Sequence, residues 1–316
     1  MYYYAVYNEN ICKVTTDSEE YNNNLKKKTC HKRFRNKTEA EHFLKTFDKY
    51  FTNKYNAFVD FEFTCSTRLE DFSYPQIQGE VLSIGICITD NKGEIIDNFY
   101  RTVCPKFNKT LTRYCIDLTH LSQEQINKSK DLPTILMEAS SFIKKYNIQK
   151  MNAYGTTDYM QSKVDVQRFT DNQNYKKMIK FVNKITNIQR EITKCLINQR
   201  IDISLEDSKK LCGIAGSVKH NAISDANDLS RVLFATFFNP PSDKKINNYL
   251  DERTQRIKYN QARRIKKFQR DYTQEEKDEF KDVCNLIAKS CDVNDVKIKS
   301  LIDDLLYLSK QKLMFQ

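Results

Sequence analysis

The sequence has no stretch that approaches roughly 18 consecutive apolar residues, the length that a membrane-spanning helix requires. Its first six residues lack the basic and apolar regions that make up a secretion signal. None of the ten cysteines falls in a C-x-x-C pair, and Cys65, Cys87 and Cys104 lie in strand-like runs where a free thiol packs as a small apolar group. These absences argue against a disulfide framework, and we expect a cytoplasmic protein with reduced cysteines and no membrane contact.

The composition indicates a folded and basic protein. Apolar residues make up 40% of the chain and aromatic residues 12%, which favours a packed core although 29% of the residues are charged. Lys and Arg number 52 against 41 Asp and Glu, a net charge of +11. Because a basic chain gains affinity for polyanions by releasing their counterions, nucleic acid is the favoured partner. A composition rich in Lys and Asn can also reflect biased codon usage alone.

The pattern of apolar residues divides the chain into three regions. Residues 1–46 begin with a strand-like run and end with a short helical pattern, and the basic stretch 26–35 between them reads as a solvated loop. Strands alternate with helices in residues 55–238, which predicts a layered α/β domain. After Asn239-Pro240-Pro241, residues 242–316 form a charged helical tail with a helical hairpin predicted over 273–312.

Within the central region the periodicity predicts individual elements. Three strands are expected at 58–63, 81–88 and 95–103, the last two joined by a hairpin turn at 90–93. Helices are expected at 133–146 and 222–237, with a short buried strand at 151–154. The polar, helical segment 164–199 is expected on the outside.

Two carboxylates share one face of the first of these strands. Asp60 and Glu62 lie two residues apart, so their side chains point the same way. Flanked by Val59, Phe61 and Phe63 in a central strand, each charge would cost several kcal/mol if it were buried unpaired. A bound cation explains their presence, and an exposed edge strand is the alternative.

Two further segments place charged groups at loop and helix boundaries. Asp158 follows a strand end and a glycine turn and opens a helix, where it serves either as a ligand or as a helix cap. His220, one of only four histidines, lies in a loop five residues before Asp225, which falls in the first turn of a helix. Histidine at such a place is suited to act as a base near a metal, or else is a solvated loop residue.

Asp60-x-Glu62, Asp158 and His220-x-x-x-x-Asp225, in this order, resemble the three exonuclease motifs of the DEDDh (DnaQ-like) superfamily. The run 60–65, Asp-Phe-Glu-Phe-Thr-Cys, and the segment 104–119 are similar to the Eri-type and histone-mRNA 3′ exonuclease branch. The likeness covers about residues 55–238. It implies an α/β fold with a ribonuclease H-like mixed sheet of five strands flanked by helices, between the small N-terminal α/β module and the helical tail.

The resemblance also implies the chemistry. The four carboxylates would hold two divalent cations, Mg²⁺ or Mn²⁺, with Asp60 bridging both, Glu62 and Asp225 completing the first and Asp158 binding the second. His220 would act as general base in hydrolysis that releases nucleoside 5′-monophosphates from single-stranded 3′ ends. RNA is favoured as substrate. A DNA 3′ exonuclease of the proofreading type and a catalytically inactive nucleic-acid-binding protein are the alternatives.

The first 46 residues resemble the hybrid-binding (viroplasmin) domain of ribonuclease H enzymes, on the evidence of Tyr4-Ala5-Val6, the run 32–34 and the segment 38–44. That resemblance implies contact with an RNA-containing duplex through Lys32, Arg33 and Phe34. The domain's usual tryptophan has no counterpart, because the chain contains none. Phe63 and Thr64, beside the first exonuclease motif, are further candidates for nucleic-acid contact.

The tail carries a concentrated positive charge. Residues 244–270 hold ten Lys or Arg against two acidic residues, a local net charge of +8. The cations recur at partly helical spacing and could follow a phosphate backbone or simply face solvent. The terminal helices could also join two copies of the chain into a homo-oligomer.

Overall fold

The computed structural model describes residues 2–7, 12–19, 30–199 and 201–271. The N-terminal module is a three-stranded antiparallel sheet, with strand order β2-β1-β3, and one helix that follows it. The helix begins at the N-cap Asn36, whose side chain accepts a hydrogen bond from the Thr38 amide. The elements are β1 (Tyr3–Tyr7), β2 (Cys12–Thr15), β3 (Cys30–Phe34) and α1 (Lys37–Phe51).

The central domain is built on one mixed sheet with strand order β7-β6-β5-β4-β8-β9. The long central strand β5 is antiparallel to both of its long neighbours, β4 and β6, whereas β8 and β9 run parallel to β4. Strand β7 is a two-residue strand at the far edge and runs parallel to β6. The strands are β4 (Tyr55–Phe63), β5 (Val81–Asp90), β6 (Ile95–Cys104), β7 (Lys130–Asp131), β8 (Met151–Ala153) and β9 (Ile185–Asn187).

Helices cover both faces of this sheet. The long apolar helix Ala222–Phe238 packs on β4 and β5, and the helix Leu132–Lys145 packs near β6. The α helices after the module are α2 (Arg113–Thr119), α3 (Gln123–Asn127), α4 (Leu132–Lys145), α5 (Thr157–Gln167), α6 (Tyr175–Val182), α7 (Gln189–Ile197), α8 (Leu205–Cys212), α9 (Ala222–Phe238) and α10 (Asp243–Asp271).

The two faces of β4 lie in different environments, one apolar and one polar. Ala57, Val59 and Phe61 point into the main apolar core, which they form with β5 and residues of α4 and α6. The intervening residues Asp60 and Glu62 therefore point to the opposite face, toward α9. The pleat of one strand thus separates the core from the polar site.

The N-terminal module packs against the central domain through aromatic rings. Phe43 and Phe51 of α1 meet Phe237 of α9 with ring centroids 4.8 and 5.3 Å apart, and Phe51 also lies 5.0 Å from Phe234. Near the same surface, Lys49 Nζ and Tyr50 Oη both contact Glu191 of α7, at 2.6 and 2.7 Å. Residues 1–246 form one compact unit, so the module and the central domain are packed together.

The tail begins as the 29-residue helix α10, most of which belongs to a second unit that starts at Asn247. The predicted helical hairpin at 273–312, and with it the predicted homo-oligomer contact, lies outside the described residues. Across the described ranges, no helix combines the length and apolar character needed to span a membrane.

The structure confirms the five-stranded mixed sheet and adds the two-residue edge strand. Two expectations are wrong. Segment 164–199 is not confined to the outside, because it supplies β9 and buries Met178, Phe181 and Ile192. The end of the basic stretch 26–35 is not a solvated loop, because Cys30–Phe34 is strand β3, paired with β1.

Gly85 allows α9 to lie against the sheet. It faces Asp60 across the β4–β5 pair, and a Cβ atom on it would lie 2.2 Å from the Ala222 carbonyl carbon and 2.3 Å from the Ile223 nitrogen. Both atoms belong to the backbone at the start of α9, so no side chain can rotate away. The absence of a side chain at Gly85 therefore sets the distance between α9 and the carboxylates of β4.

We expect Gly85→Ala to destabilise the protein by about 1–3 kcal/mol, because overpacking forces the helix backbone to move. Chemical denaturation measures the change. Thr89→Val, a buried substitution on the same strand, is the matched control and should alter stability far less. A Gly85→Ala variant as stable as the wild type would show that α9 does not depend on this contact.

Candidate active site

Strand β4 presents the first two carboxylates. It lies inside the sheet, between β5 and β8, which excludes the alternative of an exposed edge strand. Asp60 pairs with Gly85 and Glu62 with Ser83, and the register then shifts between Glu62 and Phe63. Irregularities of this kind are frequent beside active sites, because they redirect the side chains at the end of a strand.

Helix α9 brings the third carboxylate to the same place. Its N-cap is Asn221, whose side chain accepts a hydrogen bond from the Ser224 amide. Asp225 follows in the first turn and is buried, at 4% exposure. The close approach of α9 to Gly85 therefore places Asp225 over the face of the sheet that carries Asp60 and Glu62.

Asp158 reaches the site from the other side. Strand β8 runs parallel to β4, the chain turns at Gly155 with a φ of 112°, and Asp158 lies in the first turn of α5. Its carboxylate accepts a hydrogen bond of 3.2 Å from the Phe61 amide of β4. The capping position of α5 is occupied by Thr156 instead, so Asp158 contacts the strand that carries the first motif.

His220 closes the set from the loop before α9. It is exposed and has a φ of 48°, in the left-handed region. One ligand atom from each of Glu62, His220 and Asp225 lies within 4.8 Å of the others. This proximity to two carboxylates favours a role for His220 in the site over that of an ordinary solvated loop histidine.

All five predicted residues line one cavity of about 730 Å³. Cavities of this size accommodate small molecules or single building blocks of a polymer. Other residues of its wall escaped the sequence interpretation because they carry no distinctive spacing. They are Tyr154, Thr157, Gln189, Ser204, Leu205, Glu206, Ser217 and Val218.

The carboxylates strongly perturb one another. Burial and the neighbouring Asp225 and Asp158 raise the pKa of Glu62 to about 8. Burial raises the pKa of Asp158 to about 7, and burial together with the carboxylates of Asp158, Glu62 and Asp225 raises the pKa of Asp60. Burial also raises the pKa of Asp225, although the Lys219 amide and His220 oppose the shift. The protein itself therefore supplies too little positive charge or hydrogen bonding to stabilise these carboxylates in their charged forms.

This donor set fits divalent cations. Several buried carboxylates that destabilise one another in their charged forms are stabilised by a positive ion between them. The ligands are hard oxygen atoms with one imidazole nearby, which suits Mg²⁺-like ions better than a thiolate-preferring metal. Asp60, Glu62, Asp158 and Asp225 are the residues that would hold such ions.

Lys32, Arg33 and Phe34, expected to contact nucleic acid, have other contacts. Lys32 Nζ donates to the carbonyl oxygens of Cys195 and Leu196 at the end of α7, the latter at 2.9 Å. Phe34 is buried, with its ring 5.3 Å from that of Phe43. The burial of Phe34 corrects the expectation that its ring faces nucleic acid, whereas Lys32 is partly exposed and its contact with nucleic acid stays a prediction.

Arg33 is more exposed, but it pairs with Asp243 at 2.8 Å and lies over the ring of Tyr2. Duplex binding by the module stays a prediction. Thr64 is buried, and its hydroxyl accepts a hydrogen bond of 2.9 Å from the Glu80 amide. Of the two candidates beside the first motif, Phe63 alone lines the cavity.

Comparisons with known proteins agree with this geometry. A family model described as Exonuclease (RNase_T) matches residues 57–233. The protein 3′-5′ exoribonuclease 1 of Homo sapiens is 29% identical over 91 residues, which cover 28% of this chain and 25% of the relative. Its counterpart in Rattus norvegicus is 28% identical over the same share of each chain. The match thus spans only a quarter of these relatives.

A solved structure described as 3′-end specific recognition of histone mRNA stem-loop by 3′-exonuclease has a similar fold. It superposes with a TM-score of 0.50 and 18% sequence identity, covering 62% of this chain and 71% of that one. The match confirms the ribonuclease H-like architecture.

The raised carboxyl pKa values predict how stability depends on pH and cations. A carboxyl group with a raised folded pKa binds more protons folded than unfolded, so stability falls as pH rises from the ordinary value near 4 toward 7–8. In EDTA, the wild type should lose more thermal stability between pH 5 and pH 8 than Glu62→Gln does. Mg²⁺ or Mn²⁺ should stabilise the wild type most at pH 8. An identical pH response in both proteins, with no cation effect, would contradict the proposed cluster.

Proposed function

The chain belongs to the exonuclease (RNase_T) family, and on that basis we propose that it is a metal-dependent 3′→5′ exonuclease that releases nucleoside 5′-monophosphates. The observation that carries the proposal is the convergence of Asp60, Glu62, Asp158, Asp225 and His220 on one cavity. A catalytically inactive binding protein would have no need of a complete set of interacting, buried carboxylates. The intact set therefore favours the enzyme.

RNA is the proposed substrate. The human and rat relatives are named as exoribonucleases, and the motif resemblance leads to the same branch. DNA trimming of the proofreading type is the second candidate, because those enzymes share the five motif residues. The cavity has room for a terminal nucleotide, and we propose that a single-stranded 3′ end enters it.

We propose that Asp60, Glu62, Asp158 and Asp225 would together hold two divalent cations, Mg²⁺ or Mn²⁺. When bound, such cations activate the attacking water and offset the negative charge that develops on the phosphate. The protein's part is to hold Asp60 and Glu62 on a rigid interior strand, with Asp158 and Asp225 on the first turns of two helices. This rigidity fixes the spacing of the ligands before substrate arrives.

His220 is the proposed general base. It is exposed at the cavity, close to Glu62 and Asp225, so its imidazole can accept a proton from water and pass it to solvent. The neighbouring carboxylate of Asp225 stabilises the imidazolium that forms. Phe63 and Tyr154, which also line the cavity, offer aromatic surface to a terminal base.

The activity is tested with a 5′-labelled single-stranded RNA in Mg²⁺. We expect a ladder of products that shorten from the 3′ end, with nucleoside 5′-monophosphates released, and no reaction in EDTA. Asp60→Asn should abolish the reaction, and His220→Ala should lower kcat by about 10²–10⁴-fold, the range for loss of a general base. Asp171→Asn, a surface change outside the cavity, is the control. Cleavage unaffected by EDTA or by Asp60→Asn would rule out the proposed site.

RNA and DNA oligonucleotides of matched sequence separate the two substrate classes. We expect a higher kcat/KM for RNA. A clear preference for DNA would favour the proofreading alternative while leaving the catalytic residues unchanged.

We further propose that helix α10 binds the substrate strand through its cations. Arg253, Arg256, Arg263 and Arg264 recur at spacings of 3, 7 and 1 residues, which place them on one side of an α-helix, and all except the partly exposed Arg253 are exposed. The acidic Asp251 lies on the opposite side of the helix, whereas Glu252 lies four residues before Arg256 and shares the side of the arginines. With four arginines against one acidic residue, this side of the helix keeps a net positive charge that is complementary to a phosphate backbone.

Replacing Arg253, Arg256 and Arg263 together by Gln should weaken binding of a long RNA, measured by fluorescence anisotropy in an Asp60→Asn background that prevents digestion. The slope of log K against log salt should shrink by about 2, because each lost phosphate contact contributes about 0.7 for a single strand. The same three positions changed to Lys should keep most of the slope. An unchanged slope in the Gln variant would remove α10 from the binding surface.

A further inference from the structure

The loop that carries His220 has little packing to hold it. It connects α8 to α9 over residues 213–221, and Gly213, Gly216 and Ser217 are among its exposed residues. Two of its residues are glycines with φ angles of 73° and 86°. Such a segment has many accessible conformations, yet general base catalysis needs the imidazole in one place. Specific bonds must therefore fix it.

A single peptide group in this loop is held from both sides. Lys209 Nζ donates to the Ser217 carbonyl oxygen at 3.1 Å, and the Val218 amide donates to Glu206 Oε2 at 2.6 Å. The Ser217 carbonyl and the Val218 amide belong to the same planar trans peptide and point in opposite directions. We call Glu206, Lys209 and this peptide the loop clamp.

The clamp is stronger than two ordinary hydrogen bonds. An ammonium group binds the negative end of the peptide dipole and a carboxylate binds the positive end, so both bonds are charge-assisted. Rotation of the peptide plane would break both at once. Glu206 and Lys209 lie three residues apart on α8, on the same side of the helix, which is why both reach one peptide.

The lysine of the clamp is itself fixed in the protein interior. Lys209 is 2% exposed, and its ammonium group forms an ion pair with Asp228 of α9, which is 5% exposed. Asp228 also contacts Arg231 at 3.4 Å. The Val218 amide is the main reason that the pKa of Glu206 is lowered. The clamp thus connects α8, the loop and α9, the helix that carries Asp225.

We propose that Glu206 and Lys209 are positioning residues for His220. The clamped peptide ends two residues before His220, and the intervening Lys219 amide donates to Asp225 Oδ1 at 3.3 Å. From Ser217 to Asp225 the backbone is therefore bonded to rigid helices on both sides of the histidine. This inference rests on the proposed function, because it assigns a role in that reaction.

The first test compares three single variants in the RNA digestion assay. Glu206→Ala should lower kcat about tenfold with KM for RNA nearly unchanged, because a charge-assisted bond that positions the base is lost. Glu206→Gln keeps an acceptor for the Val218 amide and should recover part of the loss. Lys210→Ala is the matched control, since Lys210 contacts Glu206 at 3.2 Å but not the clamped peptide. Raised KM with unchanged kcat would instead make Glu206 a substrate contact.

A second test asks whether Glu206 acts through His220. In a His220→Ala background, Glu206→Ala should have no further effect on kcat, whereas independent roles would give multiplicative losses.

Amide hydrogen exchange measures the clamp directly, without an activity assay. A wild-type protein without nuclease activity would therefore overturn the proposed function and not the clamp. The Val218 amide should be protected in the wild type and exchange faster in Glu206→Ala. Equal exchange in both would overturn the clamp.

Lys209 needs a variant that does not leave a buried charge alone. The double change Lys209→Met and Asp228→Leu removes both members of the buried pair and fills their volume with apolar atoms, so the fold should persist. It should lower kcat as Glu206→Ala does and speed exchange at Val218. Wild-type kcat and exchange in a folded double variant would remove Lys209 from the clamp.

Discussion

The repulsion between four carboxylates on one cavity is the constraint on which the rest of the structure depends. Two other buried carboxylates in the same domain show the contrast. Glu80 accepts hydrogen bonds from the Phe107 and Asn108 amides at 2.8 and 2.7 Å, and Asp165 accepts one from Val81 at 2.8 Å and pairs with Arg168. Those carboxylates are satisfied by the protein, whereas Asp60 and Glu62 mainly face other carboxylates. The repulsion in the second arrangement is relieved by protonation at low pH or, near neutral pH, by a bound cation.

The surrounding elements can be understood as the means of holding this unfavourable cluster. An interior strand fixes Asp60 and Glu62, and Gly85 lets α9 approach closely enough to add Asp225. The parallel strand β8 brings α5 and Asp158 from the opposite side. Apolar burial on the other face of β4 provides the stability that offsets the charge repulsion. Site and core are thus two faces of one strand.

Residues that lie close together along the chain could be placed correctly from the sequence alone. The two-residue period of a strand put Asp60 and Glu62 on one face, and strand and helix periodicities located β4, β5, β6 and α9 within a few residues. The loop clamp could not be predicted in this way. Its bonds join side chains of α8 to one peptide of an irregular loop, and no periodic pattern encodes which peptide a charged side chain reaches. The same holds for Gly85, whose importance lies in a helix more than 130 residues later.

The N-terminal module shows how a resemblance of sequence can mislead about exposure. Its basic and aromatic residues have the composition of a nucleic-acid surface, yet Phe34 is buried and the partly exposed Lys32 donates to carbonyl oxygens of α7, where the module meets the nuclease domain. A lysine that donates to the last carbonyl oxygens of a helix is a stabilising partner of the helix dipole. Charge pattern alone could not separate these two uses of the same residue.

The central claim is that the four carboxylates together hold a pair of cations. Anomalous X-ray diffraction from crystals grown with Mn²⁺ tests it most directly. The account predicts two anomalous peaks about 4 Å apart among Asp60, Glu62, Asp158 and Asp225. Crystals that show no peak among these residues, or a peak elsewhere that alone supports activity, would contradict it.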